Sequence, residues 1–350
     1  MPPTVEINHR LIGPGQPTYI VAEMSANHNQ AFEQAVQIIQ AAHEAGADAV
    51  KLQTYTPATL TIDCNNKYFR VSGGTPWEGH SLYTLYGEAY TPWDWQPRLK
   101  EVANGLGLDL FSTPFDFTAV ELLETMQVPA YKIASFELVD LALIRRVAQT
   151  GKPIIMSTGM ATLGEIDEAT RAAREAGATQ IALLKCNSAY PAPPEEMNLR
   201  TIPHLAEAFE VVAGLSDHTL DTVIPAAAVA LGACLIEKHV TLSRATPGPD
   251  SAFSLEPHEF KAMVRAVRTV ERALGQVCYQ VAPHEAASRL YRRSLFVVKD
   301  LGAGAVFTEE NVRSIRPADG LAPKYLPEVL GRRAARDIER GTPLSWDMVA

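Results

Sequence analysis

The chain has 350 residues, of which 47% are hydrophobic and 20% charged, and its formal net charge is −9. This composition is typical of a globular protein with a large core and excludes a disordered chain. No block of lysines or arginines is present, so we expect no nucleic-acid partner, because duplex binding depends on basic contacts to phosphate. An anionic substrate stays open, because the field inside a site need not follow the total charge.

The cysteines form no CxxC pair, which argues against a zinc cage or a disulfide framework and favours a reducing compartment. They are Cys64, Cys186, Cys234 and Cys278. Residues 1–6 lack the basic and apolar regions of a signal peptide. No apolar run approaches the roughly 18 residues that a membrane span needs. We therefore expect a cytoplasmic protein with no membrane partner.

Short runs rich in valine and isoleucine alternate with helical stretches, which is the pattern of βα units around a parallel sheet. These runs lie at 18–24, 49–55, 109–115, 130–136, 153–159, 181–187, 211–218 and 235–241. Helical periodicity fills the intervals, for example over 31–46 and 163–176. Eight such units predict a closed (β/α)₈ TIM barrel of the α/β class, because a doubly wound open sheet usually has fewer strands.

The barrel is expected to occupy residues 1–275, since single barrels take ~250 residues. A linker with helical content follows over 276–290. Residues 291–350 have short apolar runs separated by glycine turns, which predicts a small second domain.

One connection is unusually long. Residues 56–91 separate the second and third strands and carry Trp77, Tyr83, Tyr86 and Tyr90. Long βα loops of barrels lie on the active-site face and are usually functional. Two interpretations are open: a cover over a substrate, or a packing flap or oligomer contact.

Polar side chains gather at the ends of the predicted strands, where barrels carry their functional groups. They are Glu23, Ser25, Asn27, His28, Lys51, Gln53, Ser112, Thr113, Lys132, Ser135, Glu137, Ser157, Thr158, Lys185, Asn187, Ser188, Tyr190, Ser216, Asp217, His218, Glu237, Lys238 and His239. A barrel interior is normally filled by branched apolar residues, and buried charges need partners. These charged side chains must therefore be paired with one another or with a ligand. A phosphate dianion, held by lysines and hydroxyls, is a ligand that fits such a site.

His218 and His239 end neighbouring strands, the seventh and the eighth. Two neutral imidazoles could bind one divalent ion, with carboxylates and water completing the coordination. The alternative is that each is an ordinary hydrogen-bonded histidine. No G-x-G-x-x-G pattern follows a strand, so no dinucleotide site is predicted.

Several segments resemble the sialic acid synthases, which condense phosphoenolpyruvate with an amino-hexose to make a nine-carbon sugar. The segments are AEMSANHNQ, KLQTYTP, STPFD, YKIASFE, IIMSTGMAT, KCNSAYPAP, GLSDHT, and EKHVTL followed by GPDSAFSLEP. The tail, from RRSLFVVKD onward, resembles the antifreeze-like (SAF) domain of these enzymes. The resemblance implies a TIM barrel with a small C-terminal SAF domain.

The resemblance also implies roles for individual residues. The phosphoenolpyruvate ligands would be Lys51, Thr113, Lys132, Ser135, Ser157, Ser188 and Ser216, with Asn187 as an alternative to Ser188. The sugar contacts would be Gln53, Glu137, Tyr190 and Asp250. Glu23 and Glu137 would handle water and protons, and His218 and His239 would bind a divalent metal, Mn²⁺ in the first place and otherwise Mg²⁺ or Co²⁺. Arg316 would reach the site of the other subunit in a domain-swapped homodimer.

Within the family, SANHNQ, LYGEAYTPWDWQ and PDSAFSLEP are most similar to the branch that makes pseudaminic acid. The sugar implied is 2,4-diacetamido-2,4,6-trideoxy-L-altrose. Ala252 and Phe253, beside Asp250, are the candidate contacts for its methyl group. The alternatives are an N-acetylneuraminate or legionaminate synthase, and a sugar-binding protein with an inactive barrel.

Overall fold

The computed structural model describes residues 3–72 and 77–350. The chain divides into two compact units, Met1–Gly275 and Gln276–Ala350. Among the described residues, none of the helices combines the length and the apolar character needed to cross a bilayer.

The first unit is a closed barrel of eight parallel strands, which confirms the predicted fold class. These strands are β3 Tyr19–Glu23, β4 Ala49–Thr54, β5 Asp109–Pro114, β6 Tyr131–Ile133, β7 Ile154–Ser157, β8 Ile181–Cys186, β9 Val212–Asp217 and β10 Leu235–His239. The barrel closes where β10 pairs with β3, with His239 opposite Glu23. Every strand was predicted within a few residues.

An antiparallel hairpin that was not predicted precedes the barrel, formed by β1 Val5–Ile7 and β2 Arg10–Ile12. Its apolar residues join the barrel's hydrophobic core. Asn8 donates to Asp109, the first residue of β5, at 2.8 Å. The hairpin therefore covers the amino-terminal end of the strands, and the carboxyl-terminal end is left for a ligand.

Helices follow the strands, and all but the short α2 bury residues. They are α1 Phe32–Ala45, α2 Pro57–Leu60, α3 Leu82–Ala89, α4 Gln96–Gly105, α5 Phe117–Thr125, α6 Leu141–Ala148, α7 Leu163–Glu175, α8 Thr201–Phe209, α9 Val223–Ala230 and α10 Pro257–Leu274. The sequence explains where α7 begins, because Thr162 and Glu165 form a reciprocal capping box that satisfies the first backbone amides of the helix. The end of α1 is equally defined, since Gly46 takes a left-handed φ of 89°.

Residues 56–91 fold into α2, a short turn at Lys67–Phe69 and α3, while residues 73–76 lie outside the described part of the chain. Trp77 Nε1 donates to the carbonyl of Pro249 at 2.7 Å, in the loop after β10. Gln30 Nε2 donates to the carbonyl of Tyr90 at 2.5 Å. The insertion is thus hydrogen-bonded to the loops at the carboxyl-terminal end of the barrel through Trp77 and Tyr90.

The second unit has its own small core around a two-stranded sheet, β11 Ser294–Val297 and β12 Val312–Ile315. One short helix, α11 Leu326–Val329, packs there. The core residues are Leu295, Val297, Leu301, Phe307, Val312, Val329, Ala334, Ile338 and Leu344. Residues 276–293 are exposed throughout.

Candidate active site

A cavity of about 430 Å³ opens at the carboxyl-terminal end of the barrel. Side chains from the strand ends and from the 56–91 insertion line it. Most of the predicted site residues meet there: Lys51, Gln53, Lys132, Ser135, Glu137, Ser157, Tyr190, Ser216, His218, His239 and Asp250. This convergence is expected of a barrel enzyme, because successive strands deliver their ends to one face.

The deepest polar feature is a buried group of two lysines and two carboxylates, which we call the charged floor: Lys51, Lys132, Glu23 and Glu237. Lys51 Nζ lies 2.6 Å from Glu23 Oε2 and 3.8 Å from Glu237 Oε1. Lys132 Nζ lies 3.7 Å from the same oxygen of Glu237. Glu237 therefore stands between the two lysines and is shared by both.

The members of the charged floor shift one another's pKa values. Burial acts to raise the pKa of Glu237, but Lys132 and Lys51 outweigh it and hold this pKa below its usual value. Burial raises the pKa of Glu23 despite the opposing effect of Lys51. Burial lowers the pKa of Lys132, and Glu237 is shared between Lys132 and Lys51, so an added anion would stabilise the charged form of both lysines. The floor consequently favours an anionic ligand.

A cradle of hydroxyls and one amide lies next to Lys132. Lys132 Nζ donates to Ser157 Oγ at 2.7 Å, and the amide of Gly159 donates to Ser135 Oγ at 3.0 Å. Ser188 Oγ is buried and has no hydrogen-bond partner within the described residues. A Cβ at Gly159 would lie 2.3 Å from Ser188 Oγ and 2.7 Å from Ser135 Oγ, so only glycine fits. Donors packed this closely suit phosphate oxygens.

The neighbouring Asn187 is engaged elsewhere. Its Oδ1 accepts from the amide of Ala189 at 2.9 Å, and its Nδ2 donates to Glu196 at 3.3 Å. Of the two alternatives, Ser188 is the one that lies against Gly159.

His218 and His239 lie side by side at the cavity, with ring centroids 5.2 Å apart. His218 Nδ1 donates to the carbonyl of Asn187 at 2.7 Å, which leaves Nε2 to face another ligand. His239 Nδ1 is buried and unpaired among the residues that the structure describes. Burial, chiefly, holds the pKa of His239 well below its usual value, so this imidazole is neutral.

These two histidines fit a divalent ion that keeps open coordination positions. Neutral imidazole is a preferred ligand of first-row divalent metals, and an orphaned buried nitrogen lacks any other partner. Cys186 raises the pKa of His218 despite burial, so a metal would compete with a proton for this imidazole. The described residues hold no cluster of three His, Cys, Asp or Glu side chains suited to a metal. Water or substrate oxygens would have to fill the remaining positions.

Glu137 lies in a turn, Ser135–Glu137, just after β6. Burial raises its pKa to about 7. Its Oε2 is buried without a hydrogen-bond partner in the described parts of the chain. A carboxyl group with a pKa near neutrality can both give and take a proton at physiological pH.

The predicted sugar contacts form a connected group beside the histidines. Gln53 Nε2 donates to Glu23 Oε1 at 3.1 Å and to Ser25 Oγ at 2.9 Å. Ser25 in turn donates to Asp250, which also accepts the Ala26 amide at 3.3 Å. The ring of Tyr190 packs on His218 with centroids 4.4 Å apart. These side chains are already oriented by one another before a ligand binds.

Some predicted residues, Ser188 among them, are not among the residues that line the cavity. Glu23 is fully buried behind it and acts through Lys51. Thr113 Oγ1 accepts from Lys51 Nζ at 3.2 Å, so it orients the lysine and is not among the residues lining the cavity. Arg316 is exposed in the second unit, just after β12.

Sequence reasoning missed several lining residues. Glu237 was noted at a strand end but not assigned a role, although it shares a face of β10 with His239, two positions away. Gly159, just after β7, was also not predicted; it does not line the cavity but lies against Ser135 and Ser188. Tyr55, Cys186 and Ser25 also line the cavity. No spacing pattern would have identified Tyr55, because its position depends on how the insertion folds.

The fold and the site define a barrel enzyme that binds a phosphate-bearing anion beside a pair of histidines. Residues 38–279 match the model of the NeuB family, and residues 292–350 match that of the SAF domain. The chain belongs to the NeuB family.

Individual relatives are similar over nearly their whole lengths. The pseudaminic acid synthase of Helicobacter pylori is 46% identical over 95% of this chain and 98% of its own. The N,N'-diacetyllegionaminic acid synthase of Legionella pneumophila is 34% identical over 96% of each. The crystal structure of the spore coat polysaccharide biosynthesis protein SpsE of Bacillus subtilis superposes with a TM-score of 0.68 at 34% identity, covering 99% of both chains.

We predict that Gly159→Ala weakens binding of phosphoenolpyruvate, the phosphate ester implied by the sequence resemblance, by about tenfold or more. The added methyl would collide with Ser188 and Ser135, so the hydroxyl cradle must open. Calorimetric titration measures the affinity. Gly164→Ala is the control, because its Cβ would meet no atom closer than 4.0 Å. Equal affinity in wild type and Gly159→Ala would show that the cradle does not hold the phosphate.

Proposed function

We propose that this chain condenses phosphoenolpyruvate with open-chain 2,4-diacetamido-2,4,6-trideoxy-L-altrose and water, giving pseudaminic acid and phosphate. The single observation that carries the reaction is the cavity in which two lysines, a hydroxyl cradle and two histidines converge. The choice of sugar rests on similarity to the pseudaminic acid synthases, including the one from Campylobacter jejuni, 45% identical over 93% of this chain.

The lysines and the cradle bind the phosphoenolpyruvate. Lys132 and the hydroxyls of Ser135, Ser157 and Ser188 take the phosphate, and Lys51 neutralises the remaining negative charge. The lysines are electrostatic clamps and not Schiff-base nucleophiles, because each has negative charge to neutralise on the phosphate and on the carboxylates of the floor. Glu237 lies between the two lysine nitrogens, 3.8 Å and 3.7 Å from them.

A divalent ion, Mn²⁺ in the first place, would be held by His218 and His239. When bound, it would supply Lewis-acid polarisation of the sugar aldehyde. Tyr190, stacked on His218, and Phe253, 5.1 Å from the ring of His239, keep this part of the cavity apolar and restrict water.

Carbon–carbon bond formation joins C3 of phosphoenolpyruvate to the aldehyde carbon, whose oxygen takes up a proton and becomes a hydroxyl, and leaves a cation at C2. Water adds at C2, and the C–O bond to phosphate then breaks. Glu137 is placed to take the proton from this water, since its pKa of about 7 matches the working pH. Gln53 and Asp250 orient the sugar hydroxyls and amides.

The proposed reaction is tested by phosphate release in the presence of candidate hexosamines, with mass spectrometry of the product. We expect release that requires both the trideoxy sugar and a divalent ion, at a kcat/KM about 100-fold or more above that for N-acetylmannosamine. Comparable values for the two sugars would remove the assignment to pseudaminic acid. Release without any sugar would remove the condensation itself.

The proposed dependence of the reaction on a metal is tested by chelation and by histidine variants in the same assay. Chelation should abolish turnover and added Mn²⁺ should restore it. His239→Ala should lower kcat by several orders of magnitude and abolish binding of Mn²⁺, measured by electron paramagnetic resonance on the resting protein. His258→Ala, at an exposed histidine of α10, should behave as wild type in both. Mn²⁺ binding retained in His239→Ala would contradict the histidine pair as ligands.

The pH profile tests Glu137. A base works only when ionised, so kcat/KM should rise about tenfold per pH unit below the pKa of about 7 and level off above it. Glu137→Gln should lower kcat by ~10²-fold or more and remove this rise. Glu168→Gln, at an exposed position of α7, is the control. A rise that persists unchanged in Glu137→Gln would assign it to another group.

We further propose that the protein works as a homodimer in the cytoplasm, with Arg316 of the partner subunit completing each site. Exposed apolar residues follow the strands at the mouth of the barrel, which supports the proposal that a partner subunit covers this surface. They are Phe117, Phe136, Val139, Met160, Leu163, Leu220 and Val223. A guanidinium suits the role because it stays charged and can bind a carboxylate through two parallel hydrogen bonds.

Mixing two inactive variants distinguishes an arginine that acts in trans. Arg316→Ala and Lys51→Ala should each be inactive, and their mixture should recover about a quarter of wild-type activity after subunit exchange. Half of the dimers are then mixed, and each mixed dimer has one intact site. Arg313→Ala, an exposed neighbour on β12, should be active alone. No recovery despite demonstrated exchange would mean that Arg316 acts within its own chain or has no catalytic part.

A further inference from the structure

The insertion contributes an apolar surface to the active-site cavity, which we call the insertion wall: Leu60, Val71, Trp77, Leu82, Leu85 and Tyr86. It lines the same cavity as the two lysines of the charged floor, Ser135, Ser157 and the histidines. The cavity therefore has a polar end that binds phosphoenolpyruvate and an apolar end formed largely by one βα connection.

The insertion wall is held in place and is not a loose flap. Trp77 is anchored by its hydrogen bond to Pro249, and its ring packs on Phe253 with centroids 6.2 Å apart. The ring of Tyr86 packs edge-on against Tyr55 with centroids 5.8 Å apart. Tyr55 packs in turn on Phe115, at 5.0 Å. A ligand thus meets a preformed surface.

This surface offers few hydrogen bonds. Within the wall, only Trp77 and Tyr86 carry polar side-chain atoms, and the indole nitrogen of Trp77 is already bonded to Pro249. A hydroxyl pressed against Leu60, Leu82 or Leu85 would lose its water without gaining a partner, which is costly. A methyl group in the same place would be favoured.

We propose that the insertion wall selects the sugar by packing on the methyl group at C6 of a 6-deoxy hexose and rejecting a hydroxyl at that carbon. This inference rests on the proposed function, because the aldehyde carbon must reach the phosphoenolpyruvate at the polar end. The opposite end of the six-carbon chain then points toward the insertion. The wall takes the part that the sequence suggested for Ala252 and Phe253.

Those two residues are placed differently. Ala252 is exposed and is not among the residues that line the cavity. Phe253 lies against His239 and Tyr190, with ring centroids 5.1 Å and 4.9 Å away. Phe253 also lines the cavity and packs on Trp77, so it extends the insertion wall toward the histidines.

The test compares two sugars that differ only at C6: 2,4-diacetamido-2,4,6-trideoxy-L-altrose and its 6-hydroxy counterpart. We expect the wild type to prefer the 6-deoxy sugar by about 10- to 100-fold in kcat/KM. Leu82→Gln and, independently, Leu60→Gln place a hydrogen-bonding amide in the wall. Each should reduce this preference about tenfold, with the KM for phosphoenolpyruvate unchanged.

Ile62→Gln is the matched control, because Ile62 lies in the same insertion, is 58% exposed and is not among the lining residues. It should keep the wild-type preference. Thermal unfolding checks that each variant is folded, and either leucine variant suffices for the comparison. A preference unchanged in the folded leucine variants, or reduced equally in Ile62→Gln, would overturn the inference. Failure of the wild type to use either diacetamido sugar would instead overturn the proposed function.

Discussion

The sharing of Glu237 between Lys51 and Lys132 is the interaction on which the site depends. Two ammonium groups inside a barrel are tolerable only with compensating charge, because a single unpaired buried ion costs several kcal/mol. Glu237 lies 3.8 Å and 3.7 Å from the two lysines, which is long for a hydrogen bond but short for electrostatic attraction. The two lysines are therefore compensated without ligand, and because they share Glu237, a phosphate ester can still attract both.

That arrangement requires a fixed register between neighbouring strands. Lys51, Glu237 and the histidines reach one cavity because parallel strands hold their register around the closed barrel, with Glu23 beside Lys51 and His239 opposite Glu23. A shift of one residue would turn each of these side chains to the helical layer. The amino-terminal hairpin closes the opposite end, so the polar interior meets ligand only at the mouth.

The barrel was predictable because eight apolar runs of strand length recur with helical stretches between them. The convergence of Lys51, Lys132, Ser157, His218 and His239 followed from reading only strand ends. The Glu237 bridge did not follow, since which carboxylate stands between two lysines depends on the order of strands around a closed barrel. Gly159 was missed for a related reason: its requirement comes from Ser135 and Ser188 on other connections.

The polar end and the insertion wall are built by different parts of the chain, and this separation has a chemical consequence. Residues that bind phosphoenolpyruvate come from many strands, so a change in any one disturbs a shared network of charges. The insertion wall comes mostly from residues 56–91, tethered through Trp77 to a backbone carbonyl and not to the floor. Side chains in it can change without altering the charge balance beneath. A barrel of this design can keep one condensation reaction while its single long connection adapts to the substituents of the sugar.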